Sequence, residues 1–414
     1  MSKTFCILPI IGISSERNGS YTVCGASYGC SKKNLETDSV ADAHNDEFFV
    51  NLRKDLVNGV QNSNCDVCWY HESQGVESRR QKVNAALIPQ NTSIEELSEK
   101  LITNNYHVNE LPYYFSIRVG NLCNLKCITC NHYHSSQHEK EVNEFISQGE
   151  QLPKWLTFVD EKKQGNMGIR KVDNRIENLK SILNNSCDME IEGGEPLLSP
   201  LTEQILDYCI ENNFLDIRLR ITTNFIGLSD RLIDKLVKFN NLSFWVSWDH
   251  VDAGKSRFIR YPADYQQFLS TFNKIAQHKN IKLGLSFTCS IFNIFDLPQI
   301  LDYFNSLYEH GVLQEYTQFR HVFQPNYFST AYLTEQQRVE IVNMVNDYIK
   351  ANANKPILKD HYVISVLDKI ETLLAPNPAD YVDVIKERTR MLDLYDKTRG
   401  TNWRTMFPYI NSSS

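Results

Sequence analysis

The stretch YYFSIRVGNLCNLKCITC, residues 113–130, decides the fold. It opens as an apolar strand and runs straight into a loop bearing Cys123, Cys127 and Cys130. Working outward, further strand candidates follow at 187–196 (CDMEIEGGEP), 215–224 (LDIRLRITTN), 242–249 (LSFWVSWD), 281–290 (IKLGLSFTCS) and 319–325 (FRHVFQP). Helical patterns lie between them at 199–213, 229–240, 265–279 and 295–311. Strands alternating with helices predict an α/β fold with a parallel sheet, here a partial (β/α)6 TIM-type barrel over 113–330. In such sheets chemistry sits at the carboxyl ends of the strands. The cysteines follow the first strand, and GGEP, TTN and SWD close the next three.

The rest of the chain divides around that core. Residues 1–85 read as a compact, turn-rich, cysteine-bearing extension, with short strands around Asn18-Gly19 and a helix at 46–59. Residues 86–112 form a connector with Pro89, Pro112 and a helix capped by Ser93. Residues 131–185 are a long polar excursion, and 331–414 form a helical C-terminal region. At 414 residues, a large domain with an appendage is expected. A net charge of −7 argues against nucleic acid or an anionic membrane as partner. The first twenty residues do not read as a signal peptide and no stretch is long enough to span a bilayer, so a cytoplasmic protein is expected.

Eleven cysteines in a cytoplasmic chain point to metal ligation, because thiols there stay reduced. Cys187, Cys209 and Cys289 lie in apolar surroundings and read as small core residues. The run Cys123-x3-Cys127-x2-Cys130 can wrap one iron–sulfur cluster, leaving a coordination position open for a chelating ligand. Zinc completed by His132 or His134 is the alternative for the loop alone. Upstream, Cys65-x2-Cys68 has a metal-type spacing, and Cys6 and Cys24 can close a four-thiolate site, with Cys30 in reserve. The alternative for that site is a structural zinc knuckle. Arg79 and Arg80 read as solvated helix charges, with the lining of a substrate cavity as the alternative.

The C-x3-C-x2-C loop after a first barrel strand resembles the signature of the radical S-adenosylmethionine (SAM) superfamily. The resemblance extends to Gly193, Gly194, Glu195 and Pro196 after the second strand, and to Ser247, Asp249 and Arg260 in SWDHVDAGKSRFIRYPADY. The N-terminal cysteines and LYDKTRGTNWRTMFP near the end resemble the twitch-domain-containing subgroup. The resemblance implies a [4Fe–4S] cluster on Cys123, Cys127 and Cys130 whose fourth iron takes the amino and carboxylate groups of SAM. It implies backbone acceptors at 193–196 for the SAM ammonium, Ser247 and Arg260 for the ribose and carboxylate, and lesser contacts from Asn224 and Asn293. It also implies an auxiliary iron–sulfur cluster on Cys6, Cys24, Cys65 and Cys68. The aromatic residue usual before the third cysteine is Thr129 here, so either Tyr133 or another residue packs on the adenine or that contact is absent.

The function so implied is an oxidoreductase-type radical SAM enzyme. An electron from an external donor such as flavodoxin or ferredoxin cleaves SAM to a 5′-deoxyadenosyl radical, which abstracts hydrogen from an organic substrate. The cysteine-bearing amino terminus favours a small metabolite over the other reading, a peptide-modifying maturase. A non-enzymatic iron–sulfur or zinc scaffold is the alternative of a different class.

Overall fold

The computed structural model describes all residues except 1–2, 74, 76, 89–91, 158–173, 186–187, 369, 371–379 and 414. Pro89, Cys187 and part of the 131–185 excursion therefore lie outside the described residues. Among the described residues there are eight strands: β1 Gly12–Ser15, β2 Tyr21–Thr22, β3 Tyr114–Arg118, β4 Asp188–Glu192, β5 Arg218–Thr223, β6 Asn241–Ser247, β7 Ile281–Cys289 and β8 Gln318–His321. The fold is α/β and mostly parallel, with helices following the strands. No helix of the described residues is long and apolar enough to cross a membrane.

The chain forms two compact units. The first comprises Met1–Leu122, Val159–Ile221 and Asp230–Leu242; the second comprises Cys123–Phe158, Thr222–Ser229 and Ser243–Ser414. Within the first unit β1 pairs in parallel with β3, Gly12 opposite Tyr114 and Ser15 opposite Ile117. β2 runs antiparallel to β1, returning to it through the Asn18-Gly19 turn, where Gly19 has φ +86°.

In the first unit, period-two alternation sorts two faces. Met189, Ile191, Leu219 and Ile221 are fully buried. The alternate positions are charged and matched across the register: Glu190 faces Arg220 with N···O 3.3 Å, and Asp188 faces Arg218 at 3.6 Å. Slipping this pair by one residue would put carboxylates into the core, so the register is strongly specified. The connector helix Ile94–Thr103 starts as expected, with Ser93 and Glu96 forming a capping box.

In the second unit β7 pairs in parallel with β8, Phe287 opposite Phe319. Trp248 anchors the core, meeting Phe268 at 4.7 Å and Phe272 at 5.2 Å between ring centroids, both edge-on. Helices Glu335–Asn352 and Tyr381–Arg399 are the longest described helices of the C-terminal region, the latter ending in left-handed Gly400 at φ +64°. Cys209 and Cys289 are fully buried, as core thiols should be.

Candidate functional site

The three-cysteine loop is held at every turn by neighbours in the second unit. The Lys126 N–H donates to the Tyr261 carbonyl at 2.7 Å, and the Ile128 N–H to that of Ile259 at 2.8 Å. Ser135, the N-cap of helix Ser136–Ser147, donates its hydroxyl to the Leu125 carbonyl at 2.6 Å, and Ser136 Oγ accepts from the Cys123 N–H at 3.2 Å. His138 on the same helix contacts the Cys127 carbonyl through Nε2 at 2.9 Å. A loop so tied does not have to pay ordering entropy on binding a ligand. Cys123 is buried with Leu125 and Ala263, and Cys127 packs on the same cluster.

These thiols act on one another. Burial pushes the Cys130 thiol up, and charge on Cys127 and Cys123 pushes it further. Burial also raises Cys127, against the Arg260 guanidinium, which draws it down. For Arg260, burial works against the charge, but Cys127 and Asp249 outweigh it and hold the guanidinium charged. Crowded buried thiols beside a fixed cation suit a cationic metal group, which would deprotonate them. Among the described residues, no three His, Cys, Asp or Glu side chains are closed around a single ion position.

Beside the loop is a recess of about 230 Å³, including its open part, lined by Asn224, Ser247, Trp248, Arg260, Ala263 and Tyr265 among others. Ala263 thus belongs both to the recess and to the thiol cluster. Asn224 joins the two as well: its Nδ2 donates to Asn124 Oδ1 at 2.9 Å, inside the cysteine loop. Asp249 is buried and fixes Arg260, accepting from Nη1 at 2.7 Å, while its Oδ1 accepts from the Thr288 N–H at 2.9 Å. Ser247, Asn224 and Arg260 are therefore brought together. Asn293 is fully buried, and Nδ2 donates to the carbonyls of Asp249 at 3.0 Å and Thr288 at 2.9 Å, while Oδ1 accepts from the Ser290 N–H at 2.8 Å. These bonds tie it to the backbone beside Asp249. Thr129 is half-buried, and Tyr133 is buried edge-on to His134 at 4.9 Å.

In the first unit, Gly193–Pro196 lies against the residues that lead to Cys123. The Gly194 N–H donates to the Gly120 carbonyl at 2.9 Å, and the Glu195 N–H to that of Leu122 at 2.7 Å. A Cβ on Gly194 would sit 2.5 Å from the Leu122 carbonyl oxygen, so only glycine allows this approach. Glu195 is buried and caps the following turn, its carboxylate accepting from the Leu197 N–H at 3.1 Å. Pro196 is buried behind it.

The same unit gathers the N-terminal thiols. Cys6, Cys24, Cys65 and Cys68 line one recess of about 390 Å³, open part included, with Asn64, Arg79 and Arg80. Cys30 is not among its lining residues. Burial pushes Cys65 up to about 12 and raises Cys6 and Cys68 too, with Cys24 adding to all three. Arg79 and Arg80 are not solvated charges, because both carry partners at this recess. Arg80 is buried, paired with Glu72 at 2.6 Å and bonded to the Phe5 carbonyl at 2.8 Å. Arg79 bonds the Tyr114 hydroxyl at 3.0 Å and Glu190 at 3.3 Å, yet its buried Nε finds no acceptor among the described residues. An orphan donor beside four thiols fits a bound anionic iron–sulfur group.

Sequence reading missed the salt-linked set Lys126, Glu141 and Arg399. Glu141 accepts two bonds from Arg399, at 3.0 Å and 2.6 Å, and pairs with Lys126 at 2.8 Å. The available signal was faint: Glu141 falls on the buried face of its helix, an unusual place for a carboxylate.

No family model and no curated protein matches the chain. Distant likenesses occur among solved structures. SuiB of Streptococcus suis bound to precursor peptide SuiA is 15% identical, with 82% of this chain and 69% of that one covered and a TM-score of 0.39. Native anSMEcpe with bound AdoMet is 16% identical, covering 58% and 62%, TM-score 0.39. TYW1 with a lysine-pyruvate adduct bound is 16% identical, covering 56% and 70%, TM-score 0.29. Likeness at this level leaves function to be argued from the chain's own residues.

Proposed function

We propose that the protein is a radical SAM enzyme of the twitch-domain-containing kind, acting on a small organic metabolite by oxidation or rearrangement. The observation that carries the reading is the joining of the three-cysteine loop to the recess of Asn224, Ser247 and Arg260 through Asn124 and Ala263. Cys123, Cys127 and Cys130 would hold a [4Fe–4S] cluster, and Arg260, kept charged and aimed by Asp249, would take the SAM carboxylate, to which a guanidinium is suited. Ser247 would serve the ribose and the ring of Tyr265 the adenine, in place of an aromatic residue at Thr129. With SAM, such a cluster supplies a hydrogen-abstracting 5′-deoxyadenosyl radical when reduced by an external donor such as flavodoxin or ferredoxin. The part given to Gly193, Gly194, Glu195 and Pro196 as backbone acceptors rests on the sequence resemblance.

Cys6, Cys24, Cys65 and Cys68 would hold an auxiliary iron–sulfur cluster, the orphan Arg79 Nε being the supporting observation. A four-thiolate group has no open position and suits electron transfer. The charged strand face of Tyr114, Asp188, Glu190 and Arg220 favours a polar metabolite.

The test is anaerobic reconstitution with iron and sulfide, then SAM and a strong reductant, with Cys127→Ala in parallel. Formation of 5′-deoxyadenosine by the wild type alone supports the reading. A fully iron-loaded wild type that makes none, and whose EPR signal SAM leaves unchanged, sinks it.

A further inference from the structure

One turn of the C-terminal helix presents donors that have no partner among the described residues. Arg399 is buried, and Glu141 holds its Nε and Nη2. Its remaining nitrogen, Nη1, is also buried and has no partner among the described residues. Tyr395, one turn earlier, is fully buried, and its hydroxyl is likewise without a partner. The two side chains stack, the Arg399 guanidinium lying 4.1 Å from the Tyr395 ring centroid. A buried unmet donor costs about 1–3 kcal/mol, so two together call for an explanation.

The surroundings supply one. Glu141 sits between Arg399 and Lys126, and Lys126 is the residue before Cys127. His138, on the same helix as Glu141, touches the Cys127 carbonyl at 2.9 Å. Two cations share one carboxylate here, while the neighbouring Arg260–Asp249 pair is neutral. Among the described residues the thiol loop is thus bordered by one excess positive charge, carried by buried Arg399 and partly exposed Lys126. In a low-dielectric setting such a charge needs an anion.

We infer that this turn is a donor face for the iron–sulfur group of the cysteine loop: the Tyr395 hydroxyl and Arg399 Nη1–H donate to its sulfurs and raise its reduction potential. The inference rests on the radical SAM reading and adds positioning residues to it. Hydrogen bonds to sulfur and nearby charge are among the means by which proteins set such potentials. Glu141 keeps the guanidinium in place, so the C-terminal helix, 258 residues further along, tunes the loop.

The test uses the full-length protein, reconstituted and without SAM, and follows the EPR signal that is lost in Cys127→Ala. Tyr395→Phe removes one donor and keeps the ring; Arg399→Lys keeps the charge on Glu141 and removes the other donor. At the wild-type midpoint each variant should fall from half reduced to about one tenth, ~59 mV for a one-electron couple. Before iron is added, Tyr395→Phe should melt no lower than wild type, since its hydroxyl then has no partner. Iron-loaded variants that keep the wild-type midpoint overturn the donor face and leave the proposed function standing. If Arg399→Lys fails to fold, Tyr395→Phe decides alone. A wild type that holds no iron–sulfur signal overturns both.

Discussion

Replacing Gly194 by alanine tests the packing that leads into the cysteine loop. A Cβ there would lie 2.5 Å from the Leu122 carbonyl oxygen and 2.7 Å from both the carbonyl carbon and oxygen of Asn121. These are backbone atoms and cannot swing aside. Ordinary contact begins at about 3.5 Å, so the two segments must part by about 1 Å. The bonds at risk are those from the Gly194 N–H to Gly120 and the Glu195 N–H to Leu122, at 2.9 Å and 2.7 Å. Overpacking typically costs about 1–3 kcal/mol and a lost hydrogen bond about 1 more. For a unit of roughly 200 residues, a loss of about 2–4 kcal/mol lowers the melting temperature by roughly 5–10 °C. Urea unfolding and calorimetry of the iron-free protein would measure it. Gly254→Ala is the control, because there the nearest atom is the Asp252 carboxylate at 3.3 Å and alanine favours the helix. A Gly194→Ala protein melting within about 1 °C of wild type would refute the close-approach reasoning, the shift per kcal/mol being larger than that.

Asp249→Asn should lose about 3–5 kcal/mol, because it leaves Arg260 charged in a buried setting without its carboxylate. An unchanged urea midpoint would count against the pair. Cys65→Ser should lower iron content while sparing the EPR signal that depends on Cys127; loss of both signals would contradict two independent thiol sites. His44 is buried neutral, its ring bonded to the Pro9 carbonyl at 3.1 Å, and burial with neighbouring Arg53 lowers its pKa to about 3. The unfolded chain takes up that proton near pH 6.5, so stability falls as pH drops from there towards 3, by at most about 1.4 kcal/mol per unit. His44→Gln should flatten that part of the stability curve, and an identical slope in the variant would show that another group is responsible.

What could be read from order along the chain was local. Three cysteines at spacings of four and three, glycines beside a strand end and serines ahead of helices each carry their chemistry within a few residues. The alternation in DMEIE and RLRIT even contains the charge-matched register of β4 and β5. Other features depend on residues that only packing brings together. The parallel seat of β1 beside β3 joins residues about a hundred positions apart, and no local pattern distinguishes it from a free hairpin. Asn293 reads as a polar residue at a strand end, and only packing shows the three internal bonds that tie it to the backbone of Asp249, Thr288 and Ser290. Arg79 and Arg80 look like surface charges until a recess forms around them. Arg399 and Glu141 meet across 258 residues. A buried ion pair has no sequence signature, because its stability comes from the desolvated geometry of both partners and belongs to neither one alone.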